Sequence, residues 1–267
     1  MTTNELLPTL APADRVVLVR ARRRLEHPSF AARLSSVVGT PIETGLRLLP
    51  HSWYRRLHAA AEASVAKALE AAIGNLRDTA AAPPRHGYYR VLGAGTGAVG
   101  GAFGLPGLVV ELPVTTTLML QAIAETARAQ GESLDSLETR MACMEVFALG
   151  GRAESDDAAE TGYYGLRLAL GSSVSAAMRH VAAHGVGRDG APALVRLIAA
   201  VASRFGAVVS QRAALQLVPV VGAGGGAFVN VLFMRHFQEM ATSHFAIRRL
   251  ERTYGAEVVE AAYKACD

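Results

Sequence analysis

Cysteine is nearly absent from this sequence, and only Cys143 and Cys266 occur along its 267 residues. Two cysteines cannot form the disulfide framework of a small secreted protein. Residues 1–14 contain no basic segment followed by an apolar one, so the sequence predicts no signal peptide. We therefore expect a protein that is not secreted. We place it in the cytoplasm at the inner face of the cell membrane, as a peripheral or monotopic protein.

Charged and aromatic side chains are also few, at 19% and 6% of the chain. Soluble globular domains usually contain roughly 25% charged residues. The apolar content of 51% is therefore mostly alanine, leucine and valine, and 26 glycines accompany it. Small side chains allow helices to approach each other closely, as they do in membranes. So much apolar surface excludes a disordered chain, because there is ample area to bury.

The net charge of +4 comes from arginines spread along the whole chain, which favour anionic partners such as lipid head groups. The densest run is Arg22, Arg23 and Arg24, and so short a run indicates a solvated helix face rather than a dedicated anion site. Basic residues are not interleaved with aromatic ones and no nucleic-acid-binding module is recognisable. We therefore expect no nucleic acid partner.

Apolar residues recur with helical spacing in several segments. From Ser52 to Leu76 they fall at every third or fourth position, and a similar pattern runs from about Pro192 to Leu217. Alternation of apolar and polar residues is nowhere sustained, so no strand is predicted. The sequence predicts an all-α multi-helix bundle. In it, residues 1–13 form a flexible N-terminus and residues 14–267 form a single helical domain.

Two uncharged, glycine-rich stretches interrupt this pattern, the first between Arg90 and Glu111 and the second from Ala213 to Met234. Glycines four residues apart on a helix form a flat stripe against which another backbone can pack. We therefore predict that both stretches are helical and that they pack together. The residues assigned to this helix-packing or membrane segment are Gly93, Gly97, Gly101, Gly104, Pro106, Pro113, Pro219, Gly222, Gly224, Gly225 and Gly226.

The positions of prolines and arginines bear on whether these stretches enter or cross a membrane. Pro106 and Pro113 interrupt the first stretch, which favours a bent or re-entrant hairpin over one straight spanning helix. About twenty apolar residues suffice to cross a bilayer, but arginines flank every end and indicate no orientation. A buried hairpin in a soluble protein, a monotopic insertion and true spanning all stay open.

Glu111 is a carboxylate amid apolar residues, so it must find a partner, shift its pKa or face water. The simpler interpretation is a buried salt bridge to an arginine such as Arg212 or Arg235. The alternative is a buried group that senses ions or protons. A second polar and aromatic cluster lies on neighbouring helical turns further along the chain. The candidate polar pocket consists of Glu111, Glu160, Tyr163 and Tyr164.

Motifs for cofactors and metals are weak. Residues 95–100 (GTGAVG) match the dinucleotide fingerprint, but Pro106 follows too soon for a long helix and no acidic residue lies at the required distance. His180 and His184 share a helix face without further ligands, which indicates solvated surface histidines rather than a metal site. We predict no cofactor and no metal.

Catalytic groups are equally hard to find. No serine, histidine and aspartate arrangement can be named, and Cys143 lies in an apolar helix where an inert, packed thiol is expected. His236 and His244 could also share a helix face, and we interpret them in the same way as the other histidine pair. The sequence therefore predicts no catalytic residue.

Several short motifs are distributed over about residues 15–255. They are residues 24–30 (RLEHPSF), 38–43 (VGTPIE), 48–50 (LLP), 104–108 (GLPGL), 111–113 (ELP), 160–164 (ETGYY), 219–230 (PVVGAGGGAFVN), 236–238 (HFQ) and 248–251 (RRLE). Together they resemble the EcsC protein family, which implies a bacterial, helical protein linked to membranes. The family is named after the third gene of an operon for an ATP-binding-cassette exporter, so the resemblance also implies such an exporter as partner.

These observations support two hypotheses of function. The first is a non-enzymatic, membrane-associated accessory protein whose apolar hairpin engages membrane lipid or a membrane protein, while its arginines meet anionic head groups. The second is a soluble α-helical enzyme, or a lipid- or small-molecule-binding protein, with a pocket between the glycine-rich segments.

Overall fold

Helices make up the fold, and no strand occurs in the part of the chain that the structure describes. The computed structural model describes residues 10–26, 30, 42–76, 78, 83–151, 162–185, 191–217 and 223–266. The predicted all-α bundle is confirmed. Its described helices are α1 Pro12–Glu26, α2 Ile42–Leu48, α3 His51–Asn75, α4 His86–Ala102, α5 Gly104–Ala129, α6 Leu137–Leu149, α7 Tyr163–His184, α8 Pro192–Gln216, α9 Ala223–Tyr254 and α10 Ala256–Lys264.

The longest helix, α9, is the centre of the bundle and packs against α1, α4, α5, α6, α8 and α10. Its 32 residues span about 48 Å. Phe233 and Phe237 of α9 meet Phe147 of α6 and Phe205 of α8, with ring centroids 5.2 to 6.0 Å apart. All four rings are fully buried. The core therefore surrounds the middle of α9.

The second glycine-rich stretch enters the start of α9. Gly224, Gly225 and Gly226 lie in its first turns, and the same helix continues through the arginine-rich segment up to Tyr254. Glycine has low helix propensity, but packing against a neighbouring helix overrides it. The helix ends at Gly255, whose φ of +91° stops it. Pro219 and Gly222 lie outside the described residues.

Helices α4 and α5 form the predicted hairpin, but its turn lies at neither proline. The chain reverses at Phe103 and Gly104, where Gly104 has a φ of +63°. Pro106 lies in the first turn of α5, where its missing N–H is not needed, and α5 continues through Pro113. The arms touch near this turn, because a Cβ on Gly107 would lie only 2.8 Å from the Cβ of Phe103.

The two glycine-rich stretches meet backbone to backbone, as predicted. A Cβ added to Gly97 of α4 would lie 2.6 Å from the carbonyl oxygen of Gly226, and one added to Gly226 would lie 2.7 Å from the Cα of Gly101. Gly93 is less crowded, since its added Cβ would meet Met234 at 3.5 Å. Without side chains at the crossing, α4 lies directly on the first half of α9.

Helices α5 and α8 are long and apolar enough to cross a membrane, with mean hydropathies of 1.5 and 1.6. Length and composition are the only basis for this observation, and core helices of soluble proteins share both properties. In the bundle, 56% and 44% of their most apolar windows are buried. Much of each helix therefore packs against protein.

We expect Gly97→Ala to lower the free energy of unfolding by about 1–3 kcal/mol, because the new methyl group overpacks against Gly226 and Asn230. The matched control is Gly95→Ala on the same helix, where an added Cβ meets nothing within 4 Å. That control is expected to stabilise the protein by about 0.5–1 kcal/mol. Urea unfolding of both variants measures the difference, and equal effects would contradict the close crossing.

Candidate functional site

A buried ion pair joins α5 to α8. Arg212 Nη2 donates to Glu111 Oε2 at 2.5 Å, and the Arg212 side chain is 1% exposed. Of the two arginines considered from the sequence, Arg212 is therefore the partner. Arg235 pairs instead with Glu239, at 2.9 Å, on the exposed side of α9. The carboxylate within the apolar stretch thus turns into the bundle.

Two further donors hold the second oxygen of Glu111. Thr115 Oγ1 donates to Glu111 Oε1 at 2.5 Å and Asn230 Nδ2 donates to it at 3.0 Å. Asn230 Nδ2 also lies 2.5 Å from the carbonyl oxygen of Gly93 in α4. The carboxylate fits here because Gly100 has no side chain, and a Cβ at that position would collide with Glu111 Oε2. The network therefore ties the hairpin to α8 and α9.

This network pairs only some of the N–H donors of Arg212. Its Nε and Nη1 have no hydrogen-bond partner among the described residues. The guanidinium carbon lies 5.1 Å from the ring centroid of Phe233, which provides a cation–π contact. Burial lowers the pKa of Arg212, and the adjacent Glu111 opposes this effect. Burying such a pair costs desolvation energy, so we do not regard it as a source of net stability.

A groove lies between the arms of the hairpin beside this ion pair. Its volume is about 530 Å³, and most of its lining is apolar. Phe103 and Val110, at the rim, are 71% and 78% exposed. The lining residues are Thr96, Val99, Gly100, Phe103, Pro106, Gly107, Val110, Glu111 and Val114. The arrangement suits an apolar group, with one carboxylate and one hydroxyl in the wall.

The structure does not bring Glu111 together with Tyr163 and Tyr164. Glu111 contacts Asn230, whereas the hydroxyl of Tyr163 lies 3.0 Å from Nδ1 of His244. Asn230 and His244 are separated by about 21 Å along α9. Glu160 lies outside the described residues. The candidate polar pocket therefore includes two separate places in the fold.

The cluster around Tyr163 and Tyr164 also contains Glu251, His244 and Glu145, which sequence reasoning missed. Tyr164 and Arg167 both donate to Glu251 Oε1, at 3.0 and 2.6 Å. His244 Nε2 lies 4.0 Å from Glu145, and burial raises the pKa of that carboxyl. Burial also lowers the pKa of His244 well below its ordinary value, which favours the neutral imidazole. These charged groups lie on several helices and share no sequence motif, so the sequence alone does not identify them as a cluster.

The interpretation of His236 and His244 as solvated histidines is wrong. They are 1% and 0% exposed, because the apolar packing of α9 continues through their segment. His180 and His184 stack with ring centroids 4.9 Å apart on α7, and His184 is exposed. Among the described residues, no group of three His, Cys, Asp or Glu side chains is placed to hold a metal ion.

The structure also explains the dinucleotide-like motif and the buried cysteine. Residues 95–100 lie in the C-terminal half of α4, so they do not form the strand-to-helix loop that a dinucleotide site requires. Cys143 is fully buried in α6, and burial raises the pKa of its thiol. A buried thiol of this kind is a poor nucleophile.

We expect Glu111→Leu to lower the free energy of unfolding by about 3–5 kcal/mol, because it leaves the buried Arg212 without a counter-ion. The double variant Glu111→Leu/Arg212→Met is expected to be more stable than Glu111→Leu alone. Arg235→Met serves as a control, with a loss below about 1 kcal/mol because its ion pair is at the surface. Chemical denaturation measures all three variants. A double variant less stable than Glu111→Leu would contradict the buried pair.

The chain was also compared with known proteins. Neither the curated proteins nor the solved structures include a match to it. A sequence model of the EcsC protein family matches residues 20–250. This span includes both arms of the hairpin and the ion pair between α5 and α8. The chain belongs to the EcsC protein family.

Proposed function

We propose that this protein is a non-enzymatic, membrane-associated accessory protein that inserts its α4–α5 hairpin into one leaflet of the cell membrane from the cytoplasmic side. The observation that carries the proposal is the apolar, unpartnered end of the hairpin. We define this hairpin tip as the surface formed by Val99, Phe103, Pro106, Val110 and Val114, which are all exposed.

The hairpin tip combines exposed apolar area with an absence of charge. Phe103 and Val110 are 71% and 78% exposed, and apolar side chains gain roughly 25 cal/mol for each Å² removed from water. Contiguous patches of this kind are typical of interaction surfaces. No charged residue lies between Arg90 and Glu111 in the sequence, and the Glu111 side chain points to Arg212. Insertion of the tip therefore desolvates no exposed charge.

The backbone of the tip also suits an apolar environment. Helices satisfy their own hydrogen bonds, and at the turn the Phe103 N–H donates to the carbonyl oxygen of Gly100 at 3.2 Å. Further along α5, Thr115, Met119 and Ile123 are buried in the bundle. We therefore propose that only the tip enters the membrane and that the rest of α5 stays packed against protein.

Flotation with phosphatidylcholine vesicles tests the proposal. We expect Phe103→Ser/Val110→Ser to weaken vesicle binding at least about 100-fold, since a buried Phe or Val side chain contributes roughly 1.5–3 kcal/mol. The control Leu168→Ser removes a side chain that is 82% exposed on α7, and it should bind as the wild type does. A wild-type protein that stays with the soluble fraction, or a control that loses as much as the variant, would contradict insertion of the tip.

A membrane protein is the partner that we propose at the same surface. We name an ATP-binding-cassette exporter on the resemblance to the EcsC family, whose name comes from an exporter operon; the family match itself covers residues 20–250. A photo-crosslinking residue at Val99, which is 63% exposed, is expected to capture exporter subunits in cells. The same probe at Leu168 should not. Crosslinks at Val99 to lipid alone would exclude the exporter as partner.

The groove in the hairpin supports a second candidate function, a soluble protein that binds a lipid or another small apolar molecule. Its volume of about 530 Å³ is that of a typical ligand pocket. The pocket lies between the two arms of the hairpin. Its lining comes from the first glycine-rich segment and the following turns of α5, with no contribution from the described residues of the second segment. Cytosolic fractionation of the native protein, together with binding of a fluorescent fatty acid, would favour this function over the first.

A further inference from the structure

The outer face of α1 carries arginines that no described carboxylate neutralises. Arg15, Arg20 and Arg23 are exposed and Arg24 is half-buried. None of the four forms a salt bridge with an acidic side chain within the described part of the chain. We define the α1 outer face by the residues that line its shallow cleft of about 700 Å³, namely Pro12, Arg15, Val16, Val19, Arg20, Arg23 and Arg24.

The acidic residues of α1 face the opposite way, into the bundle. Asp14 accepts a hydrogen bond from Tyr254 at 2.8 Å and lies 3.4 Å from Nη2 of Arg249. Glu26 accepts a hydrogen bond from Tyr263 at 2.6 Å. The acidic side chains of α1 therefore make contacts inside the bundle, whereas Arg15, Arg20 and Arg23 face solvent.

Apolar residues accompany the arginines on this face. Val16 is 57% exposed and Val19 is half-buried. The lining positions recur every three or four residues from Pro12 to Arg24, so they form one stripe about 18 Å long. Basic residues beside exposed valines on one helix face are typical of helices that lie in the interface of an anionic membrane.

We propose that the α1 outer face binds the phosphate groups of anionic phospholipids. This inference rests on the proposed function for its choice of a bilayer as partner, but it assigns a second surface with a different specificity. Guanidinium groups match phosphate oxygens with two parallel hydrogen bonds. Val16 favours a lipid surface over nucleic acid, because an apolar side chain gains from the acyl boundary and gains nothing from a sugar–phosphate backbone.

The two surfaces therefore differ in what they recognise. The hairpin tip binds lipid of any head-group charge, whereas α1 makes binding depend on anionic lipid and on salt. Each basic residue near an anionic membrane contributes about fivefold to partitioning. Three arginines are therefore expected to contribute roughly 100-fold.

Flotation with phosphatidylcholine vesicles, with and without phosphatidylglycerol, tests this inference. We expect Arg15→Gln/Arg20→Gln/Arg23→Gln to lose roughly 100-fold in binding to the anionic vesicles and nothing on neutral ones. A control with the same change in net charge removes exposed arginines elsewhere, and it should bind both vesicles as the wild type does. The control substitutions are Arg47→Gln, Arg55→Gln and Arg196→Gln.

Three results would overturn the inference. The first is an α1 variant that keeps the wild-type preference for anionic vesicles. The second is a control that loses this preference equally, since net charge would then explain the effect. The third is an α1 variant that loses binding to RNA or DNA while its vesicle binding is unchanged. Thermal unfolding of each variant establishes that the exposed substitutions leave the fold intact.

The same experiment separates this inference from the proposed function. If the wild type ignores neutral vesicles but binds anionic ones through α1, insertion of the hairpin tip fails and the α1 surface stands. If the wild type binds both vesicles equally and only Phe103→Ser/Val110→Ser loses binding, the α1 surface fails and the hairpin stands.

Discussion

The close backbone contact between α4 and α9 is the constraint on which the rest of this structure depends. Gly97 and Gly226 lie so near each other that neither position has room for a Cβ atom. This approach brings Asn230 of α9 within hydrogen-bonding distance of both Gly93 of α4 and Glu111 of α5. Larger residues at the crossing would separate the hairpin from α9, and Glu111 would lose the hydrogen bond from Asn230.

The inward turn of Glu111 decides what the surface of the hairpin offers. Its carboxylate accepts from Arg212, Thr115 and Asn230, so the tip has apolar side chains and no exposed charge. A buried ion pair is expensive in desolvation and weak evidence of stabilisation. The pair instead positions α5. It holds α5 against α8 and leaves the apolar rim of the groove exposed to solvent.

Separation of charge recurs in α1, and this common feature connects the two proposed membrane contacts. Asp14 and Glu26 bond to the bundle, whereas Arg15, Arg20 and Arg23 face solvent. In the hairpin and in α1 alike, the acidic side chains form hydrogen bonds inside the bundle. The surfaces that remain are apolar at the hairpin and basic at α1, and a bilayer with anionic lipids is complementary to both.

The sequence by itself determined the helical class, the extent of helices such as α3 and α8, and the pairing of the glycine-rich stretches. Each depends on local periodicity or on residue size, which a single sequence displays. Only the tertiary structure decided which arginine pairs with Glu111, that His236 and His244 are buried, and that Tyr163 lies far from Glu111. These outcomes depend on how distant helices cross, because burial and partner choice are set by contacts between segments more than a hundred residues apart in the chain.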